Sequence, residues 1–215
     1  MTALAQEAPV TTPETTTPGP DLDEVLWQAW KAMELPEGLR AEIIEGFIEV
    51  SPTGRFSHAK LSNQLRRQLL RYLDSESRPY HVNNDMNVMF GRNVWIPDAF
   101  VSPEDDDEFV TEDGLGLDAR CVGLIVEIVS PGHDGTQRDR VRKRRAYARA
   151  GIPVYVLVDA YDGRGIVTVL TGPCPAEAAY AIENRVHFGT DVAIPEGPAK
   201  GFVIGEAITG PPRKG

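Results

Sequence analysis

Val122-Gly123-Leu124-Ile125-Val126-Glu127-Ile128-Val129 is the stretch whose reading decides the fold. Apolar residues on both alternating faces mark a strand buried from two sides, as in the middle of a sheet covered by helices. Glu127 interrupts that run, and a buried carboxylate without a partner or cation costs on the order of several kcal/mol. Downstream, Gln137 to Arg149 has the pattern of a helix stopped by Gly151, and Val154 to Val158 is a second buried strand ending at Asp159. Upstream, strand-like segments at Tyr80 to Phe90 and Val94 to Val101 flank a Gly91-Arg92-Asn93 turn, with Ile96-Pro97-Asp98 ending an apolar run. Two carboxylates, Asp98 and Glu127, thus fall at the edges of apolar strands, and a positive group is expected beside them. Hard oxygen ligands suit Mg²⁺ or Mn²⁺, and a lysine nearby suits a reaction that develops negative charge.

The remaining chain is read in the same way. Residues 1–20 are rich in Thr and Pro and poor in large apolar side chains, so they are expected to form a disordered tail. Residues 21–208 are expected to form one domain, with 209–215 a flexible end. Leu22, Val25, Leu26 and Ala29 sit at helical spacing. Residues 41–50 read as a strand, a turn at Gly46 and a second strand. His58 to Leu73 is an amphipathic helix, with Leu61, Leu65, Leu69 and Tyr72 on one side and Arg66, Arg67 and Arg71 elsewhere. Glu104 to Glu108 is self-repelling and should be an exposed loop. A β-ribbon is expected around Ile166 to Leu170, and short strands toward Phe202 to Ile204.

The net charge of −10 argues against a protein that coats nucleic acid non-specifically, although a local basic face can coexist with it. Only Cys121 and Cys174 are present, which gives no disulfide framework or zinc spacing. No apolar run is long enough to span a bilayer. A cytoplasmic protein without membrane contact is the simplest expectation.

Several motifs together resemble the Uma2 family, whose members belong to the PD-(D/E)XK restriction-endonuclease-like superfamily. They are Glu45-Gly46 in a hairpin, His58 opening a helix, Pro97-Asp98, Val126-Glu127-Ile128-Val129-Ser130-Pro131, Asp139-x-x-x-Lys143-x-x-x-Tyr147, Gly151-Ile152-Pro153 and Leu157-Val158-Asp159. The resemblance implies an α/β (α+β) fold, a restriction-endonuclease-like mixed β-sheet flanked by helices, with a metal site at one end of the sheet. It implies that Asp98, Glu127 and a backbone carbonyl near Ile128 hold Mg²⁺ or Mn²⁺. Lys143 then supplies the lysine that the superfamily signature places two residues after the glutamate, where this chain has Val129. Glu45 corresponds to the family's first acid and would bind a second metal, position water or hold Lys143. Val154 stands where relatives carry an acid, a change expected at a secondary contact.

The implied activity is metal-dependent hydrolysis of DNA by an endonuclease. The alternative is a catalytically inactive nuclease-fold module that binds nucleic acid or protein, supported by the acidic balance and by Val129. Considered singly, Asp98 also suits a chain turn, Glu45 a surface turn, Lys143 a solvated basic helix face and His58 an accessory hydrogen-bonding role. Cutting both strands of a duplex suggests a homodimer. In that arrangement the Arg66 to Arg71 and Arg138 to Arg149 helices are expected to face DNA, with Glu104 to Glu108 pointing away.

Overall fold

The computed structural model describes residues 21–52 and 54–212; the expected N-terminal tail and residues 213–215 lie outside the described residues. Asp21 opens α1 (Leu22–Lys31) by accepting a hydrogen bond from the Asp23 N–H, the work of an N-cap. A hairpin follows, β1 (Leu39–Ile44) and β2 (Phe47–Pro52), turned by Glu45 and Gly46, both at positive φ. Next come α2 (Phe56–Ser75), β3 (Tyr80–Asn83), β4 (Val88–Phe90), β5 (Asn93–Trp95), β6 (Ala99–Pro103), β7 (Leu117–Asp118) and β8 (Leu124–Ile128). One helical stretch then runs through α3 (His133–Gln137), a π-helical segment at Arg138–Lys143, and α4 (Arg144–Arg149). The chain closes with β9 (Val154–Asp159), β10 (Ile166–Cys174), β11 (Ala179–His187), β12 (Val192–Ala193), β13 (Val203–Ile204) and α5 (Glu206–Thr209).

The mixed sheet flanked by helices expected from the sequence is present. A six-stranded sheet has the order β11-β10-β9-β8-β6-β3, with β8 and β9 parallel and its other pairs antiparallel. The parallel pair needs a crossover, which the helical stretch from His133 to Arg149 supplies. Every residue of β8 and β9 is buried, as their unbroken apolar runs require. On one face, Leu124, Val126 and Ile128 join Leu65, Leu69 and Leu73 of α2; on the other, Ile125, Tyr155 and Leu157 pack with Tyr147 and Trp95. Each fully buried leucine of α2 contributes about 1.5–3 kcal/mol by removal from water.

The segments 80–90 and 94–101, expected as two strands of a single hairpin, are four short strands shared between two sheets. Asp85 adopts positive φ between β3 and β4, and Pro97, which lacks an N–H, interrupts pairing between β5 and β6. The turn between β4 and β5 is where expected, with Phe90 opposite Asn93. Consequently β4 and β5 join a five-stranded sheet of order β2-β1-β5-β4-β7, while β3 and β6 remain in the six-stranded one. This exchange lays the β1–β2 hairpin beside Asp98.

Candidate active site

Asp98 immediately precedes β6. In the antiparallel register Ala99 is opposite Val126, so one step further Asp98 stands opposite Glu127. The Ile128 N–H donates to Asp98 Oδ2 at 2.7 Å, and His58 Nε2, from the first turn of α2, lies 2.8 Å from Asp98 Oδ1. Ser62, one turn along α2, donates to the Asp98 carbonyl at 3.3 Å. Glu127 shares its face of β8 with Ile125 and therefore meets the crossover helix. Lys143 Nζ donates to Glu127 Oε1 at 2.9 Å, and the Tyr147 hydroxyl donates to the same oxygen. Lys143 is fully buried, so the structure joins three of the expected residues, Asp98, Glu127 and Lys143, in one polar centre.

Glu45 is not joined to that centre. Its carboxylate accepts from Arg145 Nε at 3.0 Å and from Arg149, away from Lys143, one of the three roles expected of it being to hold that lysine. The acid that meets Lys143 is Glu42: its Oε1 lies 2.8 Å from Lys143 Nζ and accepts from the Ile96 N–H at 2.7 Å. The reason is strand alternation. Arg40, Glu42 and Ile44 share one face of β1, whereas Glu45 sits in the turn. Glu42 is 1 % exposed among apolar neighbours in Ala41-Glu42-Ile43-Ile44, the same signal by which Glu127 stands out.

The second hairpin strand deepens the cluster. Glu49 is the register partner of Glu42, a like-charged pair that would be unfavourable alone. Arg142 meets Glu49 and Lys143 meets Glu42, so consecutive residues of the π-helical segment serve both acids. Asp139, fully buried, is held by Arg138 Nε at 2.8 Å and by the Ser130 N–H at 3.3 Å. The π turn buries Arg138, Asp139 and Lys143 together; local π windings recur at functional sites.

Burial pushes the Glu127 carboxyl up to about 7; Lys143 opposes the rise, and the charges of Asp98, Asp139 and Glu42 add to it. Lys143 goes the other way from what burial alone dictates, because Glu127, Glu42 and Asp139 outweigh the desolvation and raise its pKa. It therefore remains an ammonium at neutral pH. Burial would also raise Asp98, but the His58 bond, the His58 and Arg40 charges and the Ile128 N–H hold it below the usual carboxylate range. For His58 the desolvation is outweighed in turn by Asp98 and Glu127, and its pKa is raised.

These residues fit a hard divalent cation. Among the described residues Glu42 Oε2 is buried without a hydrogen-bond partner, and both side-chain donors to Glu127 converge on Oε1. Burial is the main cause of the elevated Glu127 pKa, Asp98, Asp139 and Glu42 add to it, and a bound cation would oppose the rise. Among the described residues no three His, Cys, Asp or Glu side chains form a ligand cluster by themselves. A site here would take two carboxylates with main-chain oxygen and water, the ligand habit of Mg²⁺.

A cleft of about 610 Å³ lies alongside, lined by Ser51, Gly54, His58, Ile128 and Arg138 among others. The crossover helix, expected to offer its arginines to DNA, has them paired with carboxylates. Arg138 meets Asp139, Arg140 meets Asp159, Arg142 meets Glu49, Arg144 meets Glu183, and Arg145 and Arg149 meet Glu45. By contrast Arg55, Lys60, Arg66, Arg67 and Arg71, on or just before α2, form no ion pair among the described residues. No helix among the described residues is long and apolar enough to cross a membrane.

The mixed sheet flanked by helices is of the restriction-endonuclease-like fold class. The chain belongs to the Uma2 family, whose model, described as "Putative restriction endonuclease", matches residues 27–204. A crystal structure of a "putative nuclease belonging to DUF820" from Anabaena variabilis ATCC 29413 is similar, with a TM-score of 0.59. The two are 19% identical, over 81% of this chain and 88% of that one, so the likeness speaks for the fold. No curated protein matches the chain.

Proposed function

We propose that this protein is a metal-dependent endonuclease that hydrolyses DNA phosphodiester bonds. The observation that carries the reading is the buried centre of Asp98, Glu127, Glu42 and Lys143 beside an open cleft. Asp98, Glu127 and the Ile128 carbonyl would hold Mg²⁺ or Mn²⁺, which supplies Lewis acidity toward water and the phosphate. Lys143 has three N–H donors, of which Glu42 and Glu127 each take one. The third is left for a water or a phosphate oxygen. Since Lys143 stays charged, its part is to orient water and offset negative charge as the P–O3′ bond breaks, not to accept the water's proton. The Tyr147 hydroxyl, donating to the same oxygen, helps to fix the Glu127 rotamer.

The outer face of α2 supplies the phosphate-backbone contacts in this reading. Lys60, Arg67 and Arg71 recur at seven- and four-residue steps, which puts them on one exposed face spanning about 16 Å at 1.5 Å per residue. Two backbones require two sites or two visits, and a homodimer is the simplest arrangement that provides two.

The test is cleavage of end-labelled duplex DNA by pure protein in Mg²⁺ and in EDTA. Wild type should cut only with Mg²⁺, Lys143→Ala should lose orders of magnitude, and Arg144→Ala should lose little. Metal-independent or absent cutting, with DNA binding retained, would favour the binding-module alternative. Lys143 engaged by two acids gives that alternative its one structural foothold.

A further inference from the structure

β11 ends the order of the six-stranded sheet, and among the described residues no strand pairs with its outer side. It is nine residues long, Ala179-Tyr180-Ala181-Ile182-Glu183-Asn184-Arg185-Val186-His187, and holds one register with β10 from end to end. Residues 181 to 185 are exposed in an unbroken run, with Ile182 60% exposed. Such an edge presents a row of free N–H and C=O groups to any second strand, and sheets commonly blunt it with Pro, Lys, a bulge or a short length. β11 has none of these.

Its sequence is complementary to itself. Strands that pair antiparallel about a two-fold axis must both turn outward N–H and C=O groups to the seam, and alternate residues do so, which puts the axis at a residue. With the axis at Asn184, Ile182 stands opposite the partner's Val186, Glu183 opposite the partner's Arg185, and Asn184 opposite its own copy. Apolar meets apolar and acid meets base, each of them twice. Moving the axis to Glu183 or to Arg185 sets like charges against each other. Within one chain Glu183 accepts from Arg144 at 2.8 Å and Arg185 donates to Asp162, while Glu183 Oε1 stands 4.0 Å from Arg185 of its own strand, beyond hydrogen-bond reach. Strand alternation puts Ile182 on the face where Val186 packs against the core, so the partner's Val186 extends that apolar surface over the exposed isoleucine.

We propose that β11 is the contact through which two copies of this chain form a two-fold dimer, their six-stranded sheets joined edge to edge into one sheet of twelve strands. β9 and β10 separate β8 from the seam, so Asp98, Glu127 and Lys143 stay complete within each chain. The two-fold stands perpendicular to the joined sheet, so the two copies of β8 run in opposite directions. The two centres therefore lie at opposite ends of the sheet, and each meets DNA on its own. The need for two sites comes from the nuclease reading, whereas the seam is tested without DNA.

The full-length protein is sedimented over a concentration series, and four variants locate the axis. Wild type should sediment as a dimer. Asn184→Asp, which brings two carboxylates together at the axis, should raise the dimer dissociation constant at least tenfold, and so should Ile182→Lys. Under mild oxidation Asn184→Cys should link to its own copy, since paired residues lie about 4.5–5.5 Å apart between Cα atoms, within disulfide reach. Ala181→Cys should not, because position 181 and its copy lie about 20 Å apart at about 3.4 Å per residue. Wild type, with Cys121 and Cys174, gives the background of linkage. Circular dichroism establishes that each variant is folded; if Asn184→Asp or Ile182→Lys is not, the two cysteine variants carry the comparison. The expected dimer and linkage without DNA cleavage under any metal would support the seam while removing the nuclease reading. A monomeric wild type, a dimer unmoved by Asn184→Asp and Ile182→Lys, or linkage of Ala181→Cys as strong as that of Asn184→Cys would overturn the proposal.

Discussion

Replacing Lys143 by methionine keeps most of the stem's volume and removes one charge from a site where both partner carboxylates are almost fully excluded from water. Removing one member of a buried pair costs about 3–5 kcal/mol, because the partner charge is left uncompensated. Here two acids, Glu42 and Glu127, lose the same cation, and Glu127 already titrates near 7 with the lysine present. Part of the cost is therefore relieved by proton uptake, and the loss should be smaller at pH 5.5 than at pH 8. The comparison variant is Arg144→Ala, whose bond to Glu183 spans 2.8 Å between side chains about one-third exposed. Exposed pairs of this kind contribute about 0–1 kcal/mol. Urea denaturation of both variants at the two pH values gives the free energies directly. A Lys143→Met loss no larger than that of Arg144→Ala, or one that does not grow with pH, would refute the account of the buried centre.

Glu127 binds its proton more tightly folded, at about 7, than its ordinary value of 4.5. Its contribution is thus fully present below pH 4.5 and lost as pH rises through 7, roughly 3 kcal/mol at about 1.4 kcal/mol per unit. In EDTA, Glu127→Gln should lack this decline, and parallel pH–stability curves for the two proteins would exclude it. If α2 is the DNA face, Arg67→Ala combined with Arg71→Ala should lower affinity in Ca²⁺ and flatten the salt dependence by about 2 in slope. Substituting Arg145 and Arg149 should leave that slope unchanged, and electrophoretic mobility shifts over a salt series will show whether it does. Sedimentation at working concentration should give twice the 23.6 kDa chain mass, and a strictly monomeric boundary would reject the homodimer.

Much of the buried polar centre was legible in local sequence, and the separate position of Glu45 has a physical cause. Glu127 was visible because nothing in an apolar strand explains a carboxylate, and Glu42 carries the same mark in β1. Glu45 drew attention because it adjoins the turn glycine, yet it lies past the end of β1, in the turn, where Arg145 and Arg149 take its carboxylate. The pairing of the basic helix was not legible for another reason. Its arginines look solvated in sequence, but their acids come from β2, β9, β11 and the hairpin turn, contacts visible only after folding. The strand exchange at Asp85 and Pro97 likewise needs two sheets, and residue alternation within one segment cannot specify which sheet a strand joins. The βαβ centre was legible because it depends on unbroken apolar runs and one helix stop.

Whether Asp98 and Glu127 share one cation is decided by titration calorimetry of Mn²⁺. Wild type should bind one Mn²⁺ per chain at this centre, with affinity rising as pH passes through 7 because the cation displaces the Glu127 proton. Asp98→Asn, folded by circular dichroism, should lose the signal. Unchanged Mn²⁺ binding in Asp98→Asn, or no binding by the wild type at pH 8, would contradict the account.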